Sequence, residues 1–224
     1  MRFVVHPGAV QDAAVAVPGD KSISHRAVML GSIARGATDI RGFLNGEDCL
    51  ATLAAMESMG VRTEQHGATS LTVHGVGLHG LQAPPSALDM GNSGTAMRLM
   101  TGLLSGQRFD SRLVGDESLT SRPMQRIITP LEAMGASIGS RDGRPPLDVR
   151  GGQSLRGIHY DLPVASAQVK SAILLAGLYA DGVTSVTEPA VTRDHTERMF
   201  TAMGIEVGRE DGRIAVEGGQ ELVG

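Results

Sequence analysis

The stretch TERMFTAMGIEVGREDGRIAVEGG, residues 196–219, contains the pattern that decides the fold. It begins as an amphipathic helix, turns at Met-Gly, and continues as two short strands joined by a polar turn. The same order of features recurs in ITPLEAMGASIGSRDGRPPLDVRGG, residues 128–152, and in ATLAAMESMGVRTEQHGATSLTVHGVG, residues 51–77. These three stretches therefore indicate three copies of one structural unit.

The copies keep a regular spacing along the chain. The Met-Gly glycines Gly60, Gly135 and Gly204 are 75 and 69 residues apart, and each stands where a glycine typically ends a helix. A further helix is predicted before each copy, over about residues 22–34, 93–105 and 166–179. A short β-like stretch links the two helices of each unit. We predict an α/β (α+β) fold in which the unit strand–helix–strand–helix–strand–strand occurs three times around a pseudo-threefold axis.

Composition narrows the class of protein. Lys and Arg total 20 against 24 Asp and Glu, and no basic stripe is present, so we expect no nucleic acid partner. The sequence has no run of 18 apolar residues and its start has no signal-peptide core, so we expect no membrane association and a cytoplasmic location. The single cysteine, Cys49, cannot form an internal disulfide, and we expect it to be packed in a helix rather than reactive.

Polar residues are concentrated at the starts of the helices. KSISHR, GNSGTAMR and ASAQVK open the first helices of the three units, and NGED, TSRPM and TRDH open the second ones. A pseudo-threefold arrangement would place equivalent helix starts at one end of the domain. Helix N-termini offer unpaired N–H groups and a partial positive charge. Several of them together predict an anion site, although the net charge of the chain is negative.

Several of these motifs also have a plain structural interpretation. Ser22 by itself is more typical of a helix cap, whereas Lys21 together with Arg26 favours phosphate or carboxylate binding. GNSG, residues 91–94, fits a turn with a cap about as well as a ligand loop. We expect Pro123 at the first helical position, with the preceding arginine just outside the helix.

The residues do not indicate a nucleophile, a general base or a metal site. His25 and His195 lack partners at metal-ligand spacing, so we assign neither to a metal. Asp48 and Asp194, which stand near helix starts, are expected to act as caps. The sequence therefore indicates an anion-binding protein without a cofactor.

Five motifs follow one another along nearly the whole chain: PGDKSISHRA (18–27), LDMGNSGTAMR (88–98), GDESLTSRPM (115–124), PVASAQVKSAILLAGL (163–178) and EPAVTRDHTERM (188–199). Taken jointly, they resemble the N-terminal half of the 5-enolpyruvylshikimate-3-phosphate synthase family. The resemblance implies transfer of the enolpyruvyl group of phosphoenolpyruvate to the 5-hydroxyl of shikimate-3-phosphate in the shikimate pathway of aromatic amino acid biosynthesis. Phosphate would leave through a tetrahedral intermediate, without a metal or other cofactor.

The resemblance also implies roles for individual residues. Lys21 would lie between the two substrates, contact both and act in catalysis. The residues implied for shikimate-3-phosphate are Lys21, Ser22, Arg26, Ser166, Ala167, Gln168 and Arg193. Those implied for phosphoenolpyruvate are Lys21, Asn92, Gly94, Thr95, Arg122 and Gln168. Two positions depart from the pattern, because Ala167 stands where one large subclass has a second Ser and Leu99 stands where many members carry Pro.

Members of this family have two lobes that enclose the active site, so the resemblance implies that this chain is one lobe with its helix N-termini facing the cleft. Residues 17–224 would form the lobe from repeats at about 17–80, 81–153 and 154–220. Residues 1–16 would form a leading strand that packs with the C-terminal lobe. The carboxylates that move protons would belong to that other lobe, and this chain alone would be inactive or very weakly active.

Two alternatives stay open. The UDP-N-acetylglucosamine enolpyruvyltransferases share the fold but carry a reactive cysteine on a loop, whereas Cys49 is predicted within an apolar helix. A stand-alone anion-binding module without catalysis is the second alternative. Glyphosate sensitivity also stays open, because TSRPM and TRDHTERM resemble the tolerant subclass whereas Gly94 keeps the small residue that tolerant members tend to enlarge to Ala.

Overall fold

A computed structural model of the chain describes residues 2–8 and 14–224. The helices are α1 (Lys21–Ile33), α2 (Glu47–Ser58), α3 (Gly94–Ser105), α4 (Glu117–Thr120), α5 (Gln125–Ala133), α6 (Ala167–Gly177) and α7 (His195–Ala202). The strands are β1 (Arg35–Arg41), β2 (Arg62–Gly67), β3 (Ser70–Val76), β4 (Leu88–Asp89), β5 (Ser111–Val114), β6 (Ser137–Arg141), β7 (Arg144–Arg150), β8 (His159–Asp161), β9 (Val183–Thr187), β10 (Val207–Glu210) and β11 (Arg213–Glu217). The first helices predicted for the three units are confirmed as α1, α3 and α6.

The strands form three sheets that share the order of their antiparallel strands. The second sheet has the order β4-β5-β7-β6 and the third has β8-β9-β11-β10. In both of them the leading pair is parallel and the other pairs are antiparallel. The first sheet repeats the antiparallel part as β1-β3-β2. The predicted α/β fold of three repeated units is therefore confirmed.

The first sheet differs from the other two at one edge. Beside β1, where β4 and β8 stand in the other sheets, Val223 forms a single parallel bridge with Arg35. Residues 2–8 and 14–20 lie in no helix or strand and are largely exposed. The leading strand predicted for residues 1–16 is therefore not seen in them, and its remaining residues lie outside those that the structure describes. Its docking on a second lobe stays a prediction.

Glycine and aspartate set the turns that make the unit repeat. Gly60, Gly135 and Gly204 follow the second helix of each unit with φ values of 90°, 104° and 91°. This left-handed conformation ends a helix at low cost only for glycine. The hairpins of the second and third sheets turn at Asp142–Gly143 and Asp211–Gly212, where both residues have positive φ. Asp-Gly with two positive φ values is typical of a tight hairpin turn, so these short sequences position both hairpins.

The first helices of the units form the inner layer of the fold. α1 is buried from Ser24 to Ile33, and α6 is buried from Val169 to Gly177. A helix that is buried on most of its sides belongs in the centre of a domain. At Gly102 of α3, an added Cβ would stand 2.2 Å from the carbonyl oxygen of Ala172, so this glycine lets α3 and α6 pack closely.

The second helices cover this layer with one apolar face each. α5, for example, buries Ile127, Ile128 and Leu131 and leaves Arg126 exposed. Within residues 2–8 and 14–224, no helix has both the length and the hydropathy that crossing a membrane requires.

Candidate functional site

The N-terminal ends of the inner helices meet at one end of the molecule, where side chains connect them. Gln168 in the first turn of α6 donates from Nε2 to Thr95 Oγ1 in the first turn of α3, 2.8 Å away. Arg193, just before α7, donates from Nη1 to Ser22 Oγ in the first turn of α1, 3.2 Å away. The predicted convergence of helix starts is therefore present in the structure.

The cap of α1 is Asp20. Its carboxylate accepts a hydrogen bond of 2.8 Å from the N–H of Ile23. The interpretation of Ser22 as a cap is wrong, because the helix begins one residue earlier, at Lys21. The Ser22 hydroxyl is consequently not needed to cap the backbone, and it stands beside the Arg193 guanidinium at the surface.

Lys21 and Asp48 form an ion pair of 2.8 Å between the first turns of α1 and α2. The lysine side chain is 52% exposed, so its ammonium group lies at the surface, at the end of the molecule where the helix starts meet. The expectation that Asp48 caps α2 is wrong, because Gly46 holds the N-cap position and no side chain bonds there. Asp48 instead compensates the charge of Lys21.

Two other helix starts differ from expectation. Asp194 holds the N-cap position of α7 but makes no capping hydrogen bond with its side chain. Pro123 was expected at the first helical position, whereas α5 begins at Gln125. The reason is the short helix α4, which closes with a hydrogen bond of 3.0 Å from the Arg122 N–H to the Leu119 carbonyl and places Arg122 in the connection between the two helices.

Arg26 is buried, with 4% of its surface exposed, and its side chain contacts three helices. Its Nε donates to Thr196 Oγ1 of α7 and its Nη2 to Ser171 Oγ of α6, both at 2.7 Å. Its Nη1 donates to the Ser22 carbonyl of α1 at 2.9 Å. Burial lowers the pKa of Arg26 to about 10, so the guanidinium is still charged at neutral pH. Two of its five N–H groups are not used by these bonds.

Gly94 opens α3 beneath two arginines. Ser93 caps the helix by accepting a hydrogen bond of 3.1 Å from the Ala96 N–H. A Cβ added to Gly94 would stand 2.9 Å from Nη1 of Arg98 and 3.2 Å from Nη1 of Arg122. Both guanidinium groups therefore approach the same point at a helix N-terminus, which is an arrangement that favours an anion.

Asn92 and Asp116 hold Arg122 in this position. Asn92 Oδ1 accepts a hydrogen bond from Arg122 Nη2, and Asn92 Nδ2 donates to Asp116 Oδ2 at 2.7 Å. The hydrogen bond from Asn92 and a second one from the Leu119 N–H lower the pKa of the Asp116 carboxyl. The carboxylate thus keeps the Asn92 amide oriented with its oxygen toward the arginine.

The start of α6 offers neutral groups. Ser166 caps the helix by accepting a hydrogen bond of 3.4 Å from the Val169 N–H. Ala167 follows with no polar side chain, so its backbone N–H is what it can offer to a ligand. Gln168 connects this helix to α3, as described above.

His25 and Cys49 lie inside the fold rather than at the helix-end surface. His25 Nδ1 is 2.7 Å from Thr52 Oγ1 and its Nε2 is 3.3 Å from Ser93 Oγ. Burial lowers the pKa of His25 to about 4 and raises the pKa of Cys49 to about 11, so both side chains are neutral at pH 7. The prediction that Cys49 is packed within a helix is confirmed. Among the described residues, no cluster of His, Cys, Asp and Glu could hold a metal ion.

The sequence analysis missed a buried ion-pair network beside Arg26. Lys170 Nζ lies 2.7 Å from Glu188 Oε2 and 2.6 Å from Glu197 Oε1, and both lysine and Glu197 side chains are 1% exposed. Arg26 donates to Ser171 in α6 and to Thr196 in α7. Lys170 directly precedes Ser171, and Glu197 directly follows Thr196. The signal was a single lysine in an otherwise apolar helix, but its partners are too distant along the chain for helical spacing to identify them.

Comparisons with known proteins show the family of this chain. The family model described as EPSP synthase (3-phosphoshikimate 1-carboxyvinyltransferase) matches residues 5–224. A 3-phosphoshikimate 1-carboxyvinyltransferase of Alkalilimnicola ehrlichii is 60% identical over 100% of this chain and 50% of its own length. One of Methylococcus capsulatus is 57% identical over 98% of this chain and 51% of its own length.

A solved structure gives the same result for the fold. The structure of an EPSP synthase from Acinetobacter baumannii superimposes with a TM-score of 0.91 at 59% sequence identity. The match covers 94% of this chain and 48% of the other. This chain thus spans about half the length of the relatives that it matches.

Proposed function

The chain belongs to the EPSP synthase family, and we propose that it forms the part of such an enzyme that binds shikimate-3-phosphate and phosphoenolpyruvate. In the complete enzyme the enolpyruvyl group of phosphoenolpyruvate passes to the 5-hydroxyl of shikimate-3-phosphate, and phosphate is released. One observation carries the proposal: helix N-termini and the side chains Lys21, Arg26, Arg122 and Arg193 converge at one end of a chain whose net charge is −4.

The proposed shikimate-3-phosphate site lies between α1, α6 and α7. The proximity of Arg193 to Ser22 supports a joint phosphate contact, because a guanidinium and a hydroxyl can donate to the same anion. Ser166, Ala167 and Gln168 would add the open start of α6. Arg26 would reach the substrate with the N–H groups that its three protein contacts leave unused.

The proposed phosphoenolpyruvate site lies at the start of α3. Arg122 would bind the anion directly, while Asn92 holds its guanidinium and Gly94 leaves room for the ligand. Thr95 and Gln168, which bond to each other, would close the side toward the first substrate. Lys21 at the adjacent helix start would contact both substrates.

The chemistry that the side chains at these helix ends support is charge stabilisation. The 5-hydroxyl gives up its proton as its oxygen bonds to C2 of phosphoenolpyruvate, and C3 takes up a proton, which gives a tetrahedral intermediate. Loss of phosphate from C2 and of a proton from C3 then restores the double bond in the product. Lys21 and the arginines would stabilise the negative charge on the phosphate oxygens throughout.

The proton transfers require groups other than the three carboxylates described at these helix ends, which have other partners. The carboxylate of Asp20 caps α1, that of Asp48 pairs with Lys21, and that of Asp116 orients Asn92. We therefore assign the proton-transferring carboxylates to a C-terminal lobe that would cover the helix ends. Residues 1–16 would pack with that lobe, and the chain alone would bind substrates with little or no turnover.

Calorimetric titration of this chain with shikimate-3-phosphate, with shikimate as the unphosphorylated control, tests the proposal. Heat that depends on the phosphate group, and that falls in Arg193→Ala but not in Arg213→Ala, is the expected result. Arg213 is a suitable control because it is exposed in the hairpin strand β11. Equal heats for both ligands would contradict the proposed phosphate site.

A stand-alone anion-binding module is the second candidate, because the carboxylates of Asp20, Asp48 and Asp116 at the helix ends are engaged in other contacts. Adding a separately produced C-terminal lobe of a relative and measuring phosphate release distinguishes the two. Release that requires both pieces indicates a half-enzyme, whereas substrate binding without release in the mixture favours the module.

A further inference from the structure

We propose that Arg98 is a positioning residue that fixes the side-chain amide of Gln168 in one orientation, so that Gln168 presents an N–H donor to the bound anion. This inference rests on the proposed function, in which Gln168 contacts both substrates. Arg98 itself is not among the residues assigned to either substrate.

The geometry of Arg98 ties three segments to one guanidinium. Nη1 donates to Gln168 Oε1 at 2.9 Å and to the Gly94 carbonyl, one turn earlier in α3, at 3.3 Å. Nη2 donates to the Pro123 carbonyl at 3.4 Å. The arginine therefore connects the start of α6 with the start of α3 and with the loop that carries Arg122.

The chemistry of the two side chains determines the orientation. An arginine has N–H donors and no acceptor, so it can face only the oxygen of the Gln168 amide. With Oε1 held by Arg98, Nε2 points to Thr95 and donates to its hydroxyl at 2.8 Å. The amide nitrogen has a second N–H, which these contacts do not use. A reversed amide would instead place an NH₂ group against the guanidinium and lose both bonds.

The surrounding charges explain why this contact concerns an anion. Arg98 is half-buried, and burial together with the charges of Arg122 and Arg126 lowers its pKa. Its Nη1 also lies 2.9 Å from the point where a Gly94 side chain would begin. A phosphate or carboxylate at this point would reduce the repulsion among the arginines and receive the remaining N–H of Gln168.

Nuclear magnetic resonance of the unliganded chain tests the orientation directly. The Gln168 side-chain amide signal is assigned by its loss in Gln168→Leu. In Arg98→Gln we expect this signal to shift and its protons to exchange faster with water. In Arg126→Gln, which removes an equal charge from the exposed face of α5, we expect no change. An unchanged Gln168 signal in a folded Arg98→Gln variant would overturn the proposal.

Arg98→Lys provides a second variant should Arg98→Gln not fold. It keeps the charge but cannot donate to three acceptors with one planar group. The expected result is again a displaced Gln168 amide signal with an unchanged backbone spectrum elsewhere. A Gln168 signal identical to that of the wild type would count against positioning by the guanidinium.

Titration with phosphoenolpyruvate in the presence of shikimate-3-phosphate adds a functional readout. We expect Arg98→Gln and Gln168→Leu each to weaken binding about tenfold, and the double variant to weaken it no further, as in coupled pairs. Losses that multiply in the double variant would show that the two residues act independently. If the wild-type chain binds neither substrate, the proposed function fails for this chain, while the amide signals still decide the orientation of Gln168.

Discussion

Arg26 and Arg122 stand at the same end of the molecule and are used in opposite ways. Arg26 is 4% exposed and donates to three different helices, so its guanidinium is part of the packing. Arg122 lies in a connection between helices and is held by the side chains of Asn92 and Ser118 near the surface. Basic residues of the proposed anion sites thus differ in how far they also stabilise the fold.

The difference defines a buried corner and an open corner. The buried corner contains Arg26, Ser171, Thr196 and the pair of Lys170 with Glu197, between α1, α6 and α7. The open corner contains the Gly94 turn with its overlying arginines. We expect substitutions in the first corner to lower the free energy of unfolding strongly, and substitutions in the second to change ligand affinity with little effect on unfolding.

The largest effect is expected at Lys170. In Lys170→Met the side chain keeps its apolar stem, but Glu188 and Glu197 lose their buried cation. We expect the free energy of unfolding to fall by about 3–5 kcal/mol, as when one partner of a buried ion pair is removed. Urea denaturation monitored by circular dichroism measures this.

The matched control is the exposed pair of Lys21 and Asp48, which has a similar length of 2.8 Å. Lys21→Met is expected to change the free energy of unfolding by less than about 1 kcal/mol. Adding Glu188→Gln and Glu197→Gln to Lys170→Met should restore part of the loss. Equal stabilities of the two single variants would contradict the distinction between the corners.

Arg26→Ala is expected to lower the free energy of unfolding by about 2–4 kcal/mol, because it removes three hydrogen bonds made by a buried cation and leaves Glu197 without a nearby positive charge from α1. Arg122→Ala, the control in the open corner, should lower it by less than about 0.5 kcal/mol. Urea denaturation of both variants gives the comparison.

Binding measurements complete this comparison. We expect shikimate-3-phosphate affinity to fall in Arg26→Ala by about 1.5–3 kcal/mol for loss of a charge-assisted contact, measured where the variant is still folded. Unchanged affinity would remove Arg26 from the site and leave it a structural role alone.

The third-largest effect is a loss of folding stability at acidic pH, which we expect from His25. Its pKa in the folded chain is about 4, below the ordinary value of 6.5, so the unfolded chain binds more protons between these values. Stability is therefore full above pH 6.5 and falls as the pH decreases toward 4. Between pH 7 and pH 4.5 we expect a loss of about 2 kcal/mol from this group. The slope of stability against pH measures it.

His25→Asn serves as the reference for this slope, because it cannot titrate. The variant is expected to show a flatter profile between pH 6.5 and pH 4.5 than the wild type. Parallel profiles would mean that His25 is not the group responsible, and that carboxylates account for the acid sensitivity.

The smallest effect on stability is expected for Gly94→Ala. The new methyl group would approach the ends of the Arg98 and Arg122 side chains at 2.9 and 3.2 Å, and these flexible ends can shift. We expect the free energy of unfolding to change by less than about 1 kcal/mol. Phosphoenolpyruvate affinity, measured by calorimetry, should fall because the arginines no longer meet at Gly94. Unchanged affinity would argue against an anion at this point.

Local sequence was sufficient for most elements and for several caps. The inner helices, the C-terminal glycines such as Gly60, and the caps Ser93 and Ser166 depend on neighbouring residues, so short patterns predicted the elements and helix starts. Pro123 and Ser22 were assigned wrongly because α4 and Asp20 compete for the same backbone positions. Which residue holds such a position depends on how the chain enters the helix, and the preference of a single residue type does not decide it.

The sequence by itself determined the threefold repeat, the family and the set of polar residues at the helix starts, because each is written in residues close together along the chain. The tertiary structure decided which of those residues are partners. Arg26 meets Ser171 and Thr196 across 145 and 170 residues, and Gln168 meets Arg98 across 70. Such contacts depend on how α1, α3, α6 and α7 pack, and no local periodicity records that packing.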